Sequence, residues 1–359
     1  MSSPASTAPT FGIYLYGWYD APKWQAHKHL YVPQIGYYDS CDQLAIDWQV
    51  DQIRRTGVDY VVFETVPVED ISFAQCMTQA RRFIDTIAGT GVGYTFMIDF
   101  GVMAPGRDPL SEYDAIITEL DRRDWLDGVI DIPGRGKSIF AFSPYPDLVP
   151  AIRAGTPGDL ELYCASWSPD RDIIDPANYD PRLAAFFERH WKPATEAGIR
   201  YADAVEPLGF IQFWQPPEQT LSLNGFASIC PGYDELLLKR NPQIAATLPR
   251  DDGRNLIRQF QAAVASGARD MLIYSWNEHF EAAGIEPTIQ FGNFYLELTR
   301  NLIAQAKAGR NIEQPKGLDA LSPVTPLYLS SELERSGRRH VDRVPRWGFD
   351  DSSQVKTSL

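Results

Sequence analysis

The stretch 266–278, SGARDMLIYSWNE, opens on a glycine, runs through Met271, Leu272, Ile273 and Tyr274, and then stops abruptly on Trp276, Asn277 and Glu278. The apolar run is too short for a helix and lacks strict alternation, as expected of a strand buried on both faces. Gly267 sits where a preceding helix needs a residue at positive φ to end. The same order recurs at 56–64 (TGVDYVVFE), 90–99 (TGVGYTFMID) and 197–206 (AGIRYADAVE), with Gly57, Gly91 and Gly198 in the stop position. Helical faces precede the first and last copies: Ile46, Val50 and Ile53 share one face, and Leu256, Phe260 and Ala263 another.

Further strand candidates are 12–16, 138–142, 161–166, 210–214 and 225–229, which brings the total to about eight or nine short apolar runs separated by helical segments. Such alternation over most of 359 residues predicts an α/β fold with a parallel sheet. It permits a closed barrel or an open doubly wound sheet. The barrel is favoured because no strand is followed by a glycine-rich phosphate loop, and because polar and aromatic residues follow many different strands. The expected architecture is a single (β/α)8 TIM barrel over 11–308. An irregular C-terminal extension over 309–359 and a disordered N-terminus over 1–10 flank it.

Forty-seven acidic and 33 basic residues leave a net charge of −14. That argues against nucleic acid and anionic membranes as partners, since both need a basic footprint. The basic patch in the tail (Arg335, Arg338, Arg339, His340, Arg343, Arg346) reads as a solvated segment. Cys41, Cys76, Cys164 and Cys230 are scattered without zinc spacing, and His27 and His29 lack a matched partner, so no metal is expected. No cofactor motif stands out: PGRGKS (133–138) lacks the first glycine of a P-loop and runs into a strand. No apolar run approaches a bilayer span, and MSSPASTAPT has neither the basic nor the apolar region of a secretory signal. A cytoplasmic location is therefore expected, or a secreted one if a leader has been removed.

The strand ends collect one kind of inventory. Trp18 and Tyr19 follow the first, Glu64 ends the second and Asp99 the third. Trp167, Gln212, Trp214 and Tyr233 follow later ones, and the last empties into Trp276, Asn277, Glu278 and Glu281. Carboxylates and amides can hydrogen-bond hydroxyls, and aromatic faces can stack on a pyranose ring, so a concave rim of these types suits carbohydrate. Each residue alone has a plainer reading as a helix cap or core side chain. Glu278 and Glu281 are three apart, close enough for mutual repulsion to separate their pKa values into an acid and a base.

SWNEHFEAAGIEP resembles the SWNEW-x-EGT-x-IEP signature of glycoside hydrolase family 99 and its bacterial relatives. Gly17-Trp18-Tyr19, IGYYDS (35–40), ASICPGYDE (227–235) and the RDDG-containing stretch 248–262 are similar to further elements of that family, so that the resemblance spans roughly 11–305. It implies a (β/α)8 barrel that hydrolyses α-mannosidic linkages with retention and without metal. Matched motif to motif, it implies Glu278 as base on the substrate's own 2-hydroxyl, through a 1,2-anhydro sugar, and Glu281 as acid/base. Asn277 and Glu286 become supporting residues, and Tyr19, Tyr38 and Tyr233 substrate contacts. The chain departs from the signature at His279 (usually Trp), at Phe280 and at Ala282-Ala283 (usually Gly-Thr), which leaves His279 against the substrate in place of an indole. Two rival readings are a non-catalytic or biosynthesis-associated glycan-binding barrel and a metal-dependent barrel isomerase or lyase.

Overall fold

A computed structural model describes residues 8–68, 70–100, 108–142, 148–166, 210–212, 225–234 and 247–315. Its main sheet runs through eight parallel strands among these residues. They are β1 (Thr10–Leu15), β2 (Tyr60–Thr65), β3 (Gly93–Asp99), β4 (Gly136–Phe142), β5 (Leu160–Ser166), β6 (Phe210–Gln212), β7 (Phe226–Ile229) and β8 (Asp270–Ile273). Each strand from β1 to β5 pairs with the next; β8 pairs with both β1 and β7. The cylinder is completed by β6 and β7, whose Cα atoms approach within 8 Å without a hydrogen-bonded ladder. This is the strand order of a (β/α)8 barrel.

Helices α1 (Ala21–Ala26), α2 (Gln43–Thr56), α3 (Phe73–Ile87), α4 (Pro109–Asp121), α5 (Val149–Gly155), α6 (Arg254–Ala265) and α7 (Phe294–Lys307) follow in chain order. Asp42 caps α2 by accepting from Leu44 N, and Gly57 ends it at φ 82°. Gly91 and Gly267 also adopt positive φ, 86° and 76°, at the ends of their helical segments. Gly198 lies outside the described residues.

Alternation along each strand separates two apolar layers. Ile13, Leu15, Val61, Phe63, Ile98 and Ile273 face outward and pack with Ile46, Ile53, Phe83 and Phe260 of the helices. Tyr14, Tyr16, Tyr60, Val62, Met97, Phe140, Leu272 and Tyr274 fill the interior. Both faces are apolar, which is why the strands read as continuous runs rather than alternating ones.

The rejected phosphate-loop stretch is the floor of this barrel. Gly134 and Gly136 take positive φ in the turn between a two-residue strand (Asp131–Ile132) and β4. That turn presents Arg135 to the buried Asp270, with which it forms a partly buried ion pair. The guanidinium lies 3.8 Å from the Phe226 ring centroid.

One glycine is required by close approach alone. A Cβ at Gly12 would stand 2.4 Å from Tyr60 Cε2 and 2.8 Å from Leu272 Cδ2. Gly12→Ala is expected to destabilise the barrel by about 1–3 kcal/mol through overpacking. An unchanged urea midpoint would show that the Tyr60 ring can swing clear.

The four cysteines are free, and three are buried. No described helix is long and apolar enough to cross a membrane. Residues 1–7 and 316–359, which hold most of the expected flanking segments, lie outside the described part of the chain.

Candidate active site

After β8 the chain folds back on itself. Ser275 N donates to Ala283 O at 3.0 Å, Ile285 N to Ser275 O at 3.0 Å and Ala283 N to Glu278 O at 2.9 Å. Close packing of this loop depends on Gly284, where a Cβ would meet Trp276 O at 2.7 Å. The loop is stitched to β1: Trp276 N donates to Tyr14 O at 2.8 Å, and the Asn277 side chain both accepts from Tyr16 N (2.9 Å) and donates to Tyr16 O (3.0 Å). The amide of Asn277 thus stands in for a strand peptide and carries the β1–β8 ladder past the end of the sheet.

This frame delivers both glutamates to the C-terminal end of the barrel. Glu278 N donates to Ser275 Oγ at 2.7 Å, and its carboxylate accepts from Phe280 N at 3.1 Å. Glu281 accepts from the Tyr274 hydroxyl, and its backbone carbonyl accepts from Asp234 N at 2.8 Å. Glu64 and Asp99 arrive on the inward faces of β2 and β3. All four carboxyl groups are at least nine-tenths buried. Tyr16 and Tyr274, ring centroids 6.3 Å apart, stand among them.

Crowding of acids in a dry site has one resolved electrostatic consequence. Burial first, and then the charge and hydrogen bond of Asp99, hold the Glu64 carboxyl well above the usual carboxylate range; Glu278 and Glu281 add to the effect. Tyr16 is pushed up by burial, then by Glu64, Glu278 and Glu281. Tyr274 is pushed up by burial, then by Glu281. Burial and the neighbouring Asp99 therefore favour the neutral form of the Glu64 carboxyl, and burial keeps the Tyr16 and Tyr274 phenols neutral as donors. The charges of both candidate catalytic glutamates bear on Tyr16, Tyr274 and Glu64.

A raised carboxyl binds more protons folded than unfolded. Its stabilising contribution is complete below the unfolded value, about 4.3, and is lost as the pH climbs toward the folded value. Glu64→Gln removes that loss, so the Tm of the wild type is expected to fall relative to the variant as the pH rises above the ordinary carboxylate range. Parallel Tm curves would show that Glu64 carries no excess proton.

Tyr19 and Tyr38, expected as substrate contacts, hydrogen-bond to the expected supporting residues Asn277 and Glu286. Tyr19 OH donates to Asn277 O at 2.6 Å and accepts from His279 N at 3.1 Å. Tyr38 OH accepts from Asn277 Nδ2 and donates to Glu286, each at 3.0 Å. Glu286 also accepts from Gln49 Nε2 at 2.9 Å and faces His279 Nε2 at 2.5 Å. Tyr19, Tyr38, Asn277, His279 and Glu286 are all buried, with these polar atoms spent on one another. His279 therefore replaces an expected indole with a group bonded back into the scaffold.

Trp276 is not brought to the site: it is fully buried in the outer layer between sheet and helices. Trp18 is half-buried, 4.7 Å from the Tyr16 ring, and Tyr233 packs 6.4 Å from Tyr274. Trp167 and Trp214 lie outside the described residues, as does the side chain of Gln212.

Sequence reasoning missed Tyr14, Tyr16, Tyr274, Gln49 and Arg250. Tyr14 and Tyr16 were detectable, since residues two apart on a strand share a face. Gln49 lies on the buried face of α2, where a polar residue signals a partner. Among the described residues no group of three or more His, Cys, Asp or Glu side chains is arranged to hold a metal ion. A cavity of about 650 Å³ lies at the opposite end of the barrel, lined by Thr10, Asp59, Gly91 and Lys307, away from this chemistry.

No family model and no curated protein sequence matches the chain. Solved structures do. The GH99 endo-α-mannosidase of Bacteroides thetaiotaomicron in complex with bis-tris propane aligns with a TM-score of 0.58 at 17% identity, over 84% of this chain and 98% of that one. A second structure of the endo-α-mannosidase from that organism gives 0.54 at 16%, over 83% and 97%. A glycoside hydrolase-like protein gives 0.52 at 15%, over 84% and 97%. At these identities the likeness is one of fold: the chain has the barrel of family 99 endo-α-mannosidases.

Proposed function

We propose that this protein is a retaining glycoside hydrolase of the family 99 type, acting on an α-linked oligo- or polysaccharide, with residues 11–308 as its catalytic barrel. One observation carries the reading: Glu278 and Glu281 leave a single strand end into one buried cluster with Glu64, Asp99, Tyr16 and Tyr274. That cluster sits at the C-terminal end of the barrel, where this fold places its chemistry.

In this reading Glu278 takes the proton of the substrate 2-hydroxyl while O2 attacks the anomeric carbon. The bond from that carbon to the leaving oxygen breaks, and Glu281 protonates the leaving oxygen. The product is a 1,2-anhydro sugar. Glu281 then takes a proton from water as the water oxygen attacks the anomeric carbon, the ring of the anhydride opens, and Glu278 returns its proton to O2. Tyr274, donating to Glu281, holds its carboxyl group in place between the two steps. Glu64, whose neutral form burial and Asp99 favour, can donate to a sugar hydroxyl, and Asp99 can accept from one. Trp18 at the rim offers a stacking face.

The test is a panel of α-linked oligosaccharides, including α-mannosides, with product anomers followed by proton NMR. Release of the α-anomer first is expected. First release of the β-anomer would exclude retention, and tight binding without turnover would favour the glycan-binding alternative.

A further inference from the structure

We infer that Arg250 is a positioning residue that fixes the loop carrying Glu281. The inference rests on the hydrolase reading above for what the loop does, and on the structure for how it is held. Arg250 follows a two-residue strand (Thr247–Leu248) that pairs antiparallel with Tyr233–Asp234. From there its Nη2 donates to Ala282 O at 2.8 Å and to Gly284 O at 2.7 Å. One nitrogen therefore ties together two carbonyls of the turn that follows Glu281.

Two features show that this contact is built in. The Arg250 side chain passes over Gly232, where a Cβ would stand 2.3 Å from Arg250 Cγ, so a glycine is needed for it to reach the loop. Its guanidinium also lies 4.4 Å from the Tyr295 ring centroid and 5.0 Å from that of Tyr31, which locks its plane. The turn it holds needs holding. Ala282 has φ 52°, in the left-handed region that glycine tolerates and alanine resists. Without the clamp, the torsion favours relaxation at Ala282, one residue from the Glu281 carboxylate. The neighbouring hairpin adds a second tie, Asp234 N to Glu281 O at 2.8 Å.

Arg250→Gln and Arg250→Lys are compared with wild type, each with and without Ala282→Gly. The measurements are hydrogen exchange of the 279–286 amides, and kinetics on the fastest α-linked oligosaccharide of the panel. Arg250→Gln is expected to raise exchange in that segment and to lower kcat about 10- to 100-fold, with KM within about twofold, as misplacement of a reacting group does. Arg250→Lys, which keeps the charge but loses the flat guanidinium lying against Tyr295 and Tyr31, is expected to recover little. Ala282→Gly is expected to restore about fivefold or more in the Arg250→Gln background, and to add less to wild type, because glycine removes the left-handed penalty that Arg250 opposes. A core variant remote from the site, Ile303→Val, controls for lost stability and leaves kcat in place.

Unchanged exchange in Arg250→Gln would overturn the clamp. Raised exchange with wild-type kcat would overturn its positioning role. Full activity in Glu281→Gln would instead defeat the hydrolase reading, while leaving the exchange result standing.

Discussion

Replacing Glu281 with Gln is expected to lower kcat by about 10² to 10⁴-fold on a substrate with a poor leaving group, the usual loss when a general acid/base is removed. Gln keeps the volume and accepts from the Tyr274 hydroxyl, so the fold around it persists. What it cannot do is give a proton to the leaving oxygen. The loss is therefore expected to shrink on an activated substrate whose leaving group departs unprotonated, and the two substrates separate a chemical role from a structural one. Glu278→Gln is expected to lose a similar factor on both, since removal of the 2-hydroxyl proton is needed whatever leaves. Wild-type rates in either variant would end the assignment. Glu64 is the control within the cluster. If Glu64→Gln, not Glu281→Gln, showed the leaving-group dependence, the proton donor would be the carboxyl of β2.

The second large effect is on folding. Glu286→Ala is expected to destabilise the protein by about 3–5 kcal/mol, the range for breaking a buried pair by removing one partner. The Glu286 side chain is fully buried, and its carboxylate accepts from Tyr38, Gln49 and His279. Alanine leaves those three donors in a dry cavity with no acceptor, and the cost of unmade bonds exceeds the net gain from made ones. Glu286→Gln keeps an acceptor oxygen and the shape, and is expected to cost less than Ala. Equilibrium unfolding in urea decides the matter: a change in midpoint below that of an ordinary surface substitution would show that the network is slack. Because Tyr38 also accepts from Asn277, and Asn277 carries the β1 junction, activity is expected to fall in Glu286→Ala even where the protein stays folded.

The acid pair was legible in the sequence because an apolar run that ends in NE-x-x-E is unusual and local. Glu64 and Asp99 were legible for the same reason, each ending its own run. That the Tyr19 and Tyr38 hydroxyls bond to Asn277 and Glu286 was not legible, because a chain gives no sign of whether a polar side chain meets a ligand or another residue. Tyr19 and Asn277 are 258 positions apart, and only the closing of β8 onto β1 makes them partners. The resemblance placed Ala282 where glycine is usual. The structure shows that the backbone keeps a glycine-like φ there and is held by Arg250, some 32 positions away.

What this amino-acid sequence determined by itself is what short range can encode. Two apolar faces define a buried strand, a glycine at positive φ ends a helix, and acids mark the strand ends. Those signals yield the barrel and its candidate catalytic pair. Tertiary structure alone decided which face Trp276 takes, that Tyr16 and Tyr274 stand among the acids, and that burial beside Asp99 raises the Glu64 carboxyl above its usual range. These depend on distance and burial between residues far apart in the chain, because desolvation and charge coupling act through space and a strand's neighbours are chosen only when the cylinder closes.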